Sequence, residues 1–240
     1  QSRMRLTGES LEQQIAETHA RHKAEPTDVD LARRLGALNE QKEDLEAAIG
    51  WYQCAADLTK GADTGLVRKV SDLKIKCLER EITAHEEFLS THDAAHEWHA
   101  KKSQELKTAI AKRAEILISD ARERVARNPT DLQLRFELGQ HLVCARRFRE
   151  AVPELQRSRQ NPHARLKAMN LLGCCYGELG MLDLATKQLE EASKEVLSMD
   201  AIKKEIVYNL GLVYERMGDR EKSLACMKQI YEVEHGYKDV

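Results

Sequence analysis

Apolar side chains recur every three or four residues along most of the chain, which is the spacing of one face of an α-helix. The pattern is longest between residues 66 and 128, a stretch that contains neither Gly nor Pro. Its apolar positions form two series: Leu66, Val70, Leu73, Cys77, Ala84 and Phe88, and then Leu106, Ile110, Ala114, Leu117, Ala121 and Val125. The polar cluster Ser90 to Asp93 separates them and suits a turn followed by a helix start. We therefore predict two long helices, about 66–90 and 94–127, paired as an antiparallel hairpin.

A second pattern is a Leu-Gly pair that recurs within shorter amphipathic segments. The pair occurs at Leu35-Gly36, Leu138-Gly139, Leu172-Gly173 and Leu210-Gly211. Twelve residues after each glycine the side chain is small, and the four positions are Ala48, Ala151, Ala185 and Ser223. Sixteen residues after each glycine it is large and apolar, and the four positions are Tyr52, Leu155, Leu189 and Met227. The second and third glycines are 34 residues apart, and the third and fourth are 38 apart.

These columns resemble the tetratricopeptide repeat, whose period is about 34 residues. The resemblance covers residues 29–60 and 129–234. It implies antiparallel helix pairs that stack side by side, since one pair cannot bury its own apolar face. The glycine is expected to allow the two helices to approach closely, with the small residue of the second helix in that contact. The expected fold is all-α, an α-solenoid interrupted by the long hairpin.

The same patterns suggest how the chain is organised. We expect one helical repeat domain over residues 1–240, made of an N-terminal repeat region (9–60), the long hairpin (64–128) and three C-terminal repeats (129–240). Residues 9–25 resemble the second helix of a preceding repeat, and the chain begins with Gln rather than Met. We therefore expect a segment of a longer protein.

Composition narrows the classes of function. The 38 basic and 40 acidic residues nearly cancel, so the sequence has no basic footprint for nucleic acid. No apolar run reaches the roughly 18 residues that a membrane span needs. The six cysteines include no C-x-x-C pair, which favours free thiols in a reducing compartment, and we expect a cytoplasmic protein. No phosphate-binding loop or other cofactor motif is present, so no cofactor is expected.

The resemblance implies that a partner binds on the concave surface lined by the first helix of each repeat. Helical geometry places nine residues on that stripe: Gln133, Phe136, Gln140, Lys167, Asn170, Cys174, Tyr208, Leu212 and Glu215. We predict a non-enzymatic interaction module or scaffold that binds a peptide or helix of a partner protein there, anchored on Phe136, Tyr208 and Leu212. The alternative is that these apolar groups pack on an adjacent segment such as the long hairpin. Glu205 and Glu215 on the same stripe disfavour a partner that ends in a carboxylate.

Two other functions stay open. The long hairpin could make the chain a self-associating structural protein, that is, a homo-oligomer. His85, His92, His96 and His99 could hold the metal of an enzyme, although they lack the His-Glu-x-x-His spacing and equally fit a solvated helix end. We interpret the adjacent cysteines 174 and 175 as core packing rather than a redox pair. No motif assigns a catalytic residue, and the sequence is interpreted as that of a protein that is not an enzyme.

Overall fold

The computed structural model describes residues 2–95 and 97–238, and every regular element in that range is an α-helix. The eleven described helices are α1 (Ser2–Ala24), α2 (Val29–Gln41), α3 (Leu45–Leu58), α4 (Thr64–Thr91), α5 (His99–Arg127), α6 (Leu132–Cys144), α7 (Phe148–Ser158), α8 (Arg165–Glu178), α9 (Leu182–Glu195), α10 (Ala201–Met217) and α11 (Arg220–Tyr231). The predicted all-α class is confirmed. The two long helices are present, but the second begins at His99 rather than at residue 94.

Aspartates start several of these helices. Asp131 precedes α6, and its carboxylate accepts hydrogen bonds from the backbone N–H groups of Gln133 (2.8 Å) and Leu134 (3.2 Å). Asp28, Asp63 and Asp200 cap α2, α4 and α10 in the same way. Each such cap satisfies N–H groups that have no partner within the helix and contributes about 1 kcal/mol.

The chain divides into two compact units, Gln1–Ile116 and Leu117–Val240. In the first unit, α2 and α3 form a hairpin, and Leu66, Val70 and Leu73 of α4 join its buried core. The first half of α4 therefore packs on the N-terminal repeat. Further along α4, Leu78 and Ile82 form a smaller buried cluster with residues of α5.

The second unit consists of three hairpins, α6 with α7, α8 with α9, and α10 with α11. One buried cluster fills the α6–α7 hairpin and its contact with α8, and the last turns of α5 join this cluster through Ile118, Ala121 and Val125. A second cluster fills the space among α8, α9, α10 and α11. The helices of this unit are thus packed as successive antiparallel pairs.

The repeated glycines show why the hairpins are tight. A methyl group added at Gly173 would lie 2.4 Å from Leu189 Cγ, a distance that packed atoms do not reach. The same holds between Gly139 and Leu155 (2.7 Å) and between Gly211 and Met227 (2.6 Å), and at Gly36 the ring of Tyr52 is 3.0 Å away. The close partner is therefore the large residue sixteen positions later. The small residues twelve positions later, Ala48, Ala151 and Ala185, are fully buried in the same hairpins.

Candidate functional site

The first helices of the three C-terminal repeats, α6, α8 and α10, carry all nine predicted groove residues. Gln133, Gln140, Lys167 and Glu215 are exposed, Cys174, Tyr208 and Leu212 are half-buried, and Phe136 and Asn170 are buried. The accessible apolar part of this surface is therefore on α8 and α10. We call the surface around Cys174, Tyr208 and Leu212 the α8–α10 groove.

Two of the predicted positions do not present an accessible side chain. Phe136 is 4% exposed and belongs to the buried cluster that Ile118 and Val125 of α5 also join. Phe136 is therefore buried and does not offer an accessible anchor on this surface. Asn170 is 2% exposed, and its Oδ1 accepts a hydrogen bond of 2.9 Å from Nδ2 of Asn209. Asn170 thus joins α8 to α10 beneath the groove.

Ion pairs at the ends of the first helices connect the three repeats. The carboxylate of Glu178, at the end of α8, pairs with Arg146 just beyond α6 (3.2 Å) and with Arg216 of α10 (3.1 Å). All three side chains are substantially exposed, so each pair contributes little stability. Their position matters more, because one carboxylate ties together the ends of all three helices that present the predicted surface.

The C-terminal residues lie against the α8–α10 groove. We call residues 232–238 the return segment, because after α11 the chain turns at Gly236 (φ 88°) and comes back to α10. The ring of Tyr237 meets the ring of Tyr208 edge to face, with 6.1 Å between centroids and 75° between planes. The ammonium group of Lys238 lies 4.1 Å from the centroid of Tyr208. A salt bridge from Lys204 to Glu234 holds the start of the segment on α10.

Charges of both signs act on Cys174 and Tyr237. The negative charge is that of Glu205, and the positive charges are those of Lys238 at Cys174 and Lys204 at Tyr237. Burial raises the pKa of Cys174 to about 11; the charge of Glu205 adds to the increase and that of Lys238 opposes it. Burial also raises the pKa of Tyr237, again with a contribution from Glu205. Burial raises the pKa of Cys175 to about 12. Both thiols are protonated at neutral pH, so neither is an activated nucleophile, in agreement with the core-packing interpretation.

The first unit carries a second surface that the sequence analysis did not find. An open groove of about 580 Å³ lies among α3, α4 and α5, and we call it the hairpin groove. Its floor is formed by apolar side chains, Ile49, Cys77, Leu78, Ala111 and Ile116. Its rim carries charges of both signs, Glu46, Lys74, Glu81, Lys112 and Glu115. The sequence shows that α4 and α5 are amphipathic, but it does not show how far apart they lie.

The histidines of the hairpin turn make other contacts. His85 Nε2 lies 3.8 Å from Glu105 Oε2, across α4 and α5. The ring of His92 stacks on Phe88 at 4.1 Å, and its Nδ1 is 2.9 Å from the Phe88 carbonyl oxygen. His96 lies outside the described residues. Within the described part of the chain no three His, Cys, Asp or Glu side chains are placed to hold a metal ion.

Across residues 2–95 and 97–238, no helix combines the length and apolar character needed to cross a bilayer.

The chain contains four helix pairs in which a glycine of the first helix packs closely against a large residue sixteen positions later in the second. These pairs define it as a tetratricopeptide-repeat protein. A family profile, that of the N-terminal domain of the type VII secretion (T7SS) ESX-1 secretion system protein EccA1, matches residues 46–238. The chain belongs to this family, since the match covers more than half of its length.

Solved structures show the same fold at low sequence identity. The chain is similar to MamA, with 17% identity, coverage of 88% of this chain and 96% of that chain, and a TM-score of 0.50. It also resembles a MamA structure from Desulfovibrio magneticus RS-1, with 15% identity, coverage of 88% and 97%, and a TM-score of 0.47. The third is YrrB, described as a TPR protein with an unusual peptide-binding site, with 19% identity, coverage of 92% and 93%, and a TM-score of 0.45. No curated protein matches the chain.

Proposed function

We propose that this chain is a non-enzymatic interaction module that binds a short segment of a partner protein in its α8–α10 groove. The observation that carries the proposal is the contact of Tyr237 and Lys238 with Tyr208. It supports the view that the surface accommodates a non-helical peptide whose side chains point toward α10.

The groove has the properties of a preorganised binding surface. Tyr208 and Leu212 are half-buried on one helix, so each offers apolar area without having to be ordered first. The Asn170–Asn209 hydrogen bond and the Glu178 ion pairs fix the neighbouring helices below and beside them. Because the family is that of a type VII secretion protein, we propose that the partner is a component or a substrate of such a secretion system.

Site-specific photo-crosslinking tests the groove. A photoreactive amino acid replaces Leu212 in the full chain, within a cell that carries a type VII secretion system. The matched control replaces Leu184, which is 50% exposed on α9. We expect position 212 alone to crosslink a protein of that system, identified by mass spectrometry.

A peptide from the crosslinked region should then bind the purified chain in calorimetry. The Tyr208→Ala variant should bind it about tenfold or more weakly, because anchor residues of this kind contribute at least about 1.4 kcal/mol. Equal crosslinking at positions 184 and 212, or unchanged affinity in Tyr208→Ala, would refute the proposal.

A second candidate function is self-association through the hairpin groove. Its apolar floor and a rim with charges of both signs suit a contact with a second copy. In a two-fold contact the same surface faces itself, so a rim lysine of one copy can lie opposite a rim glutamate of the other. The occupant proposed here is thus another copy of this chain.

Light scattering over a wide range of protein concentration tests this second function. We expect the apparent mass of the wild-type chain to rise with concentration. Ala111→Glu places a charge on the groove floor at an exposed position and should keep the chain monomeric. Ala100→Glu, at an exposed position of α5 outside the groove, should behave as the wild type. A monomer at every concentration, or equal effects of the two substitutions, would exclude this function.

A further inference from the structure

The return segment occupies the groove with two chemically different side chains. Tyr237 packs against the buried cluster of α8 to α11, and its ring edge meets Tyr208. Edge-to-face pairs of this kind are favourable beyond the area they bury. The first position of the groove thus accepts an aromatic ring beside Tyr208.

The second position accepts a cation. Lys238 Nζ lies 4.1 Å from the centroid of Tyr208 and 5.5 Å from that of Tyr237, so the ammonium group interacts with two aromatic rings. Such contacts are stronger where water is excluded from the cation and the ring. Glu205 lies close enough to influence both Tyr237 and Cys174 electrostatically, and its negative charge also favours a cation here. A carboxylate at this position would be repelled.

Among the described residues, the segment meets α10 through a salt bridge, a ring pair and cation–π contacts. The Lys204–Glu234 salt bridge secures its beginning, and Lys204 also lies 5.6 Å from the centroid of Tyr237. Between Glu234 and Tyr237 the chain turns at Gly236, which has a positive φ that is costly for residues with a side chain. The segment contains no helix, and most of its side chains are exposed. A short segment with few buried contacts opens at a low free-energy cost relative to the helices beneath it.

Together these contacts define a partner class. We infer that the α8–α10 groove selects segments in which a basic residue follows an aromatic one, and that the chain's own Tyr237-Lys238 pair occupies the groove as a competitor. This inference rests on the proposed function of the groove and adds the chemistry of its ligand. It also distinguishes the return segment from a simple structural cap, since removing a cap would weaken the fold without exposing a selective site.

An NMR titration tests the inference, because it measures weak binding and reports folding in the same spectra. The probe is a peptide with the sequence of residues 233–238 and an amidated C-terminus, so that no α-carboxylate lies beside the lysine. In the Tyr237→Ala/Lys238→Ala chain the groove is vacant, and we expect the peptide to shift the backbone signals of Cys174 and Tyr208. The wild-type chain should bind it at least tenfold more weakly. Val233→Ala, a substitution at a 57% exposed position of the same segment, should match the wild type.

Variant peptides and a second chain variant complete the test. Peptides with Tyr237→Ala or Lys238→Glu should lose at least tenfold in affinity for the vacant chain. Should the double variant fold poorly, Lys238→Glu alone keeps the Tyr237 contact, and it should bind the peptide more tightly than the wild type. Failure of the well-folded vacant chain to bind the peptide, or equal binding of all three peptides, would overturn the inference.

The outcomes separate this inference from the proposed function. Suppose that a secretion protein crosslinks at position 212, that its binding segment has no aromatic–basic pair, and that it binds the wild-type and vacant chains equally. This result would support the proposed function and refute the inference. Absence of crosslinking at position 212 together with tight, selective peptide binding to the vacant chain would instead support a groove that serves only the return segment. That result would refute the proposed function, while the preference of the groove for an aromatic–basic pair would stand.

Discussion

Two effects on stability oppose each other at Gly173: the higher helix propensity of alanine and the close contact with Leu189. Alanine is favoured over glycine in a helix interior by about 1 kcal/mol. At position 173, however, the added methyl group would lie 2.4 Å from Leu189 Cγ and 2.6 Å from Cδ2, and Leu189 is fully buried. Overpacking of a dense core typically costs about 1–3 kcal/mol. The steric term therefore outweighs the helix propensity at this position.

We expect Gly173→Ala to lower the free energy of unfolding, measured by urea denaturation, by up to about 2 kcal/mol. Gly50 provides the matched control, because it lies within α3, is exposed, and an added methyl group there would have no neighbour within 4 Å. Gly50→Ala should leave stability unchanged or raise it by up to about 1 kcal/mol. A Gly173→Ala chain as stable as Gly50→Ala would show that Leu189 can move away without cost.

For single residues, the sequence predicted which positions belong to the repeat pattern, but it did not predict all of the contacts that these residues make. The spacing of Gly173, Ala185 and Leu189 identified the repeat correctly, because that spacing is a property of the chain alone. How closely each later residue approaches the glycine depends on the rotation of one helix against the other, which the spacing does not give. The burial of Phe136 has a related cause: the stripe that would face solvent in an isolated hairpin is covered once the end of α5 is present.

At the scale of elements, helix type was more predictable than helix ends. The 3–4 spacing and the lack of Gly and Pro predicted α4 and α5 to within a few residues, except at the start of α5. There the sequence suggested that Asp93 begins the helix, but its carboxylate instead accepts a hydrogen bond from the Ala95 N–H group (3.2 Å) in a local turn. Asp side chains favour turns and helix starts by the same bond, so the residue type alone does not decide between them.

The two candidate surfaces differ in how much the sequence could show. The α8–α10 groove was predicted in outline, since Tyr208 and Leu212 follow from helical geometry. The hairpin groove was not, because it needs α3, α4 and α5 at a particular separation. Periodicity gives the apolar face of each helix, but the separation is set by side chains that meet only in the folded chain, such as Ile82 and Ala109.

At the scale of the whole molecule, the buried clusters follow the division into two units. Each described cluster lies entirely within Gln1–Ile116 or within Leu117–Val240, although α5 runs through the boundary. In repeat proteins stability is close to a sum of local terms, so separate clusters allow separate opening. The sequence predicts one repeat domain over residues 1–240, and the cooperativity of unfolding tests this prediction.

Hydrogen exchange measured by mass spectrometry makes that test. Leu73→Ala removes a side chain that is 3% exposed in the first unit and should cost about 2–5 kcal/mol. We expect faster exchange in α2, α3 and α4 and unchanged exchange in α8 to α11. Leu189→Ala, in the second unit, should give the reverse pattern. Equal acceleration in both units by either substitution would show a single cooperative domain.

The attachment of the return segment to α11 affects the ligand concentration that is needed to displace it from the α8–α10 groove. Because residues 232–236 join the Tyr237-Lys238 pair to α11, the effective concentration of that pair at the groove is in the millimolar range typical of short tethers. A free segment of equal affinity at ordinary cellular concentration cannot displace it. Segments displayed in several copies on one assembly raise their own local concentration and can compete. The groove would then respond to the crowding of its ligands at one place rather than to their total amount in the cell.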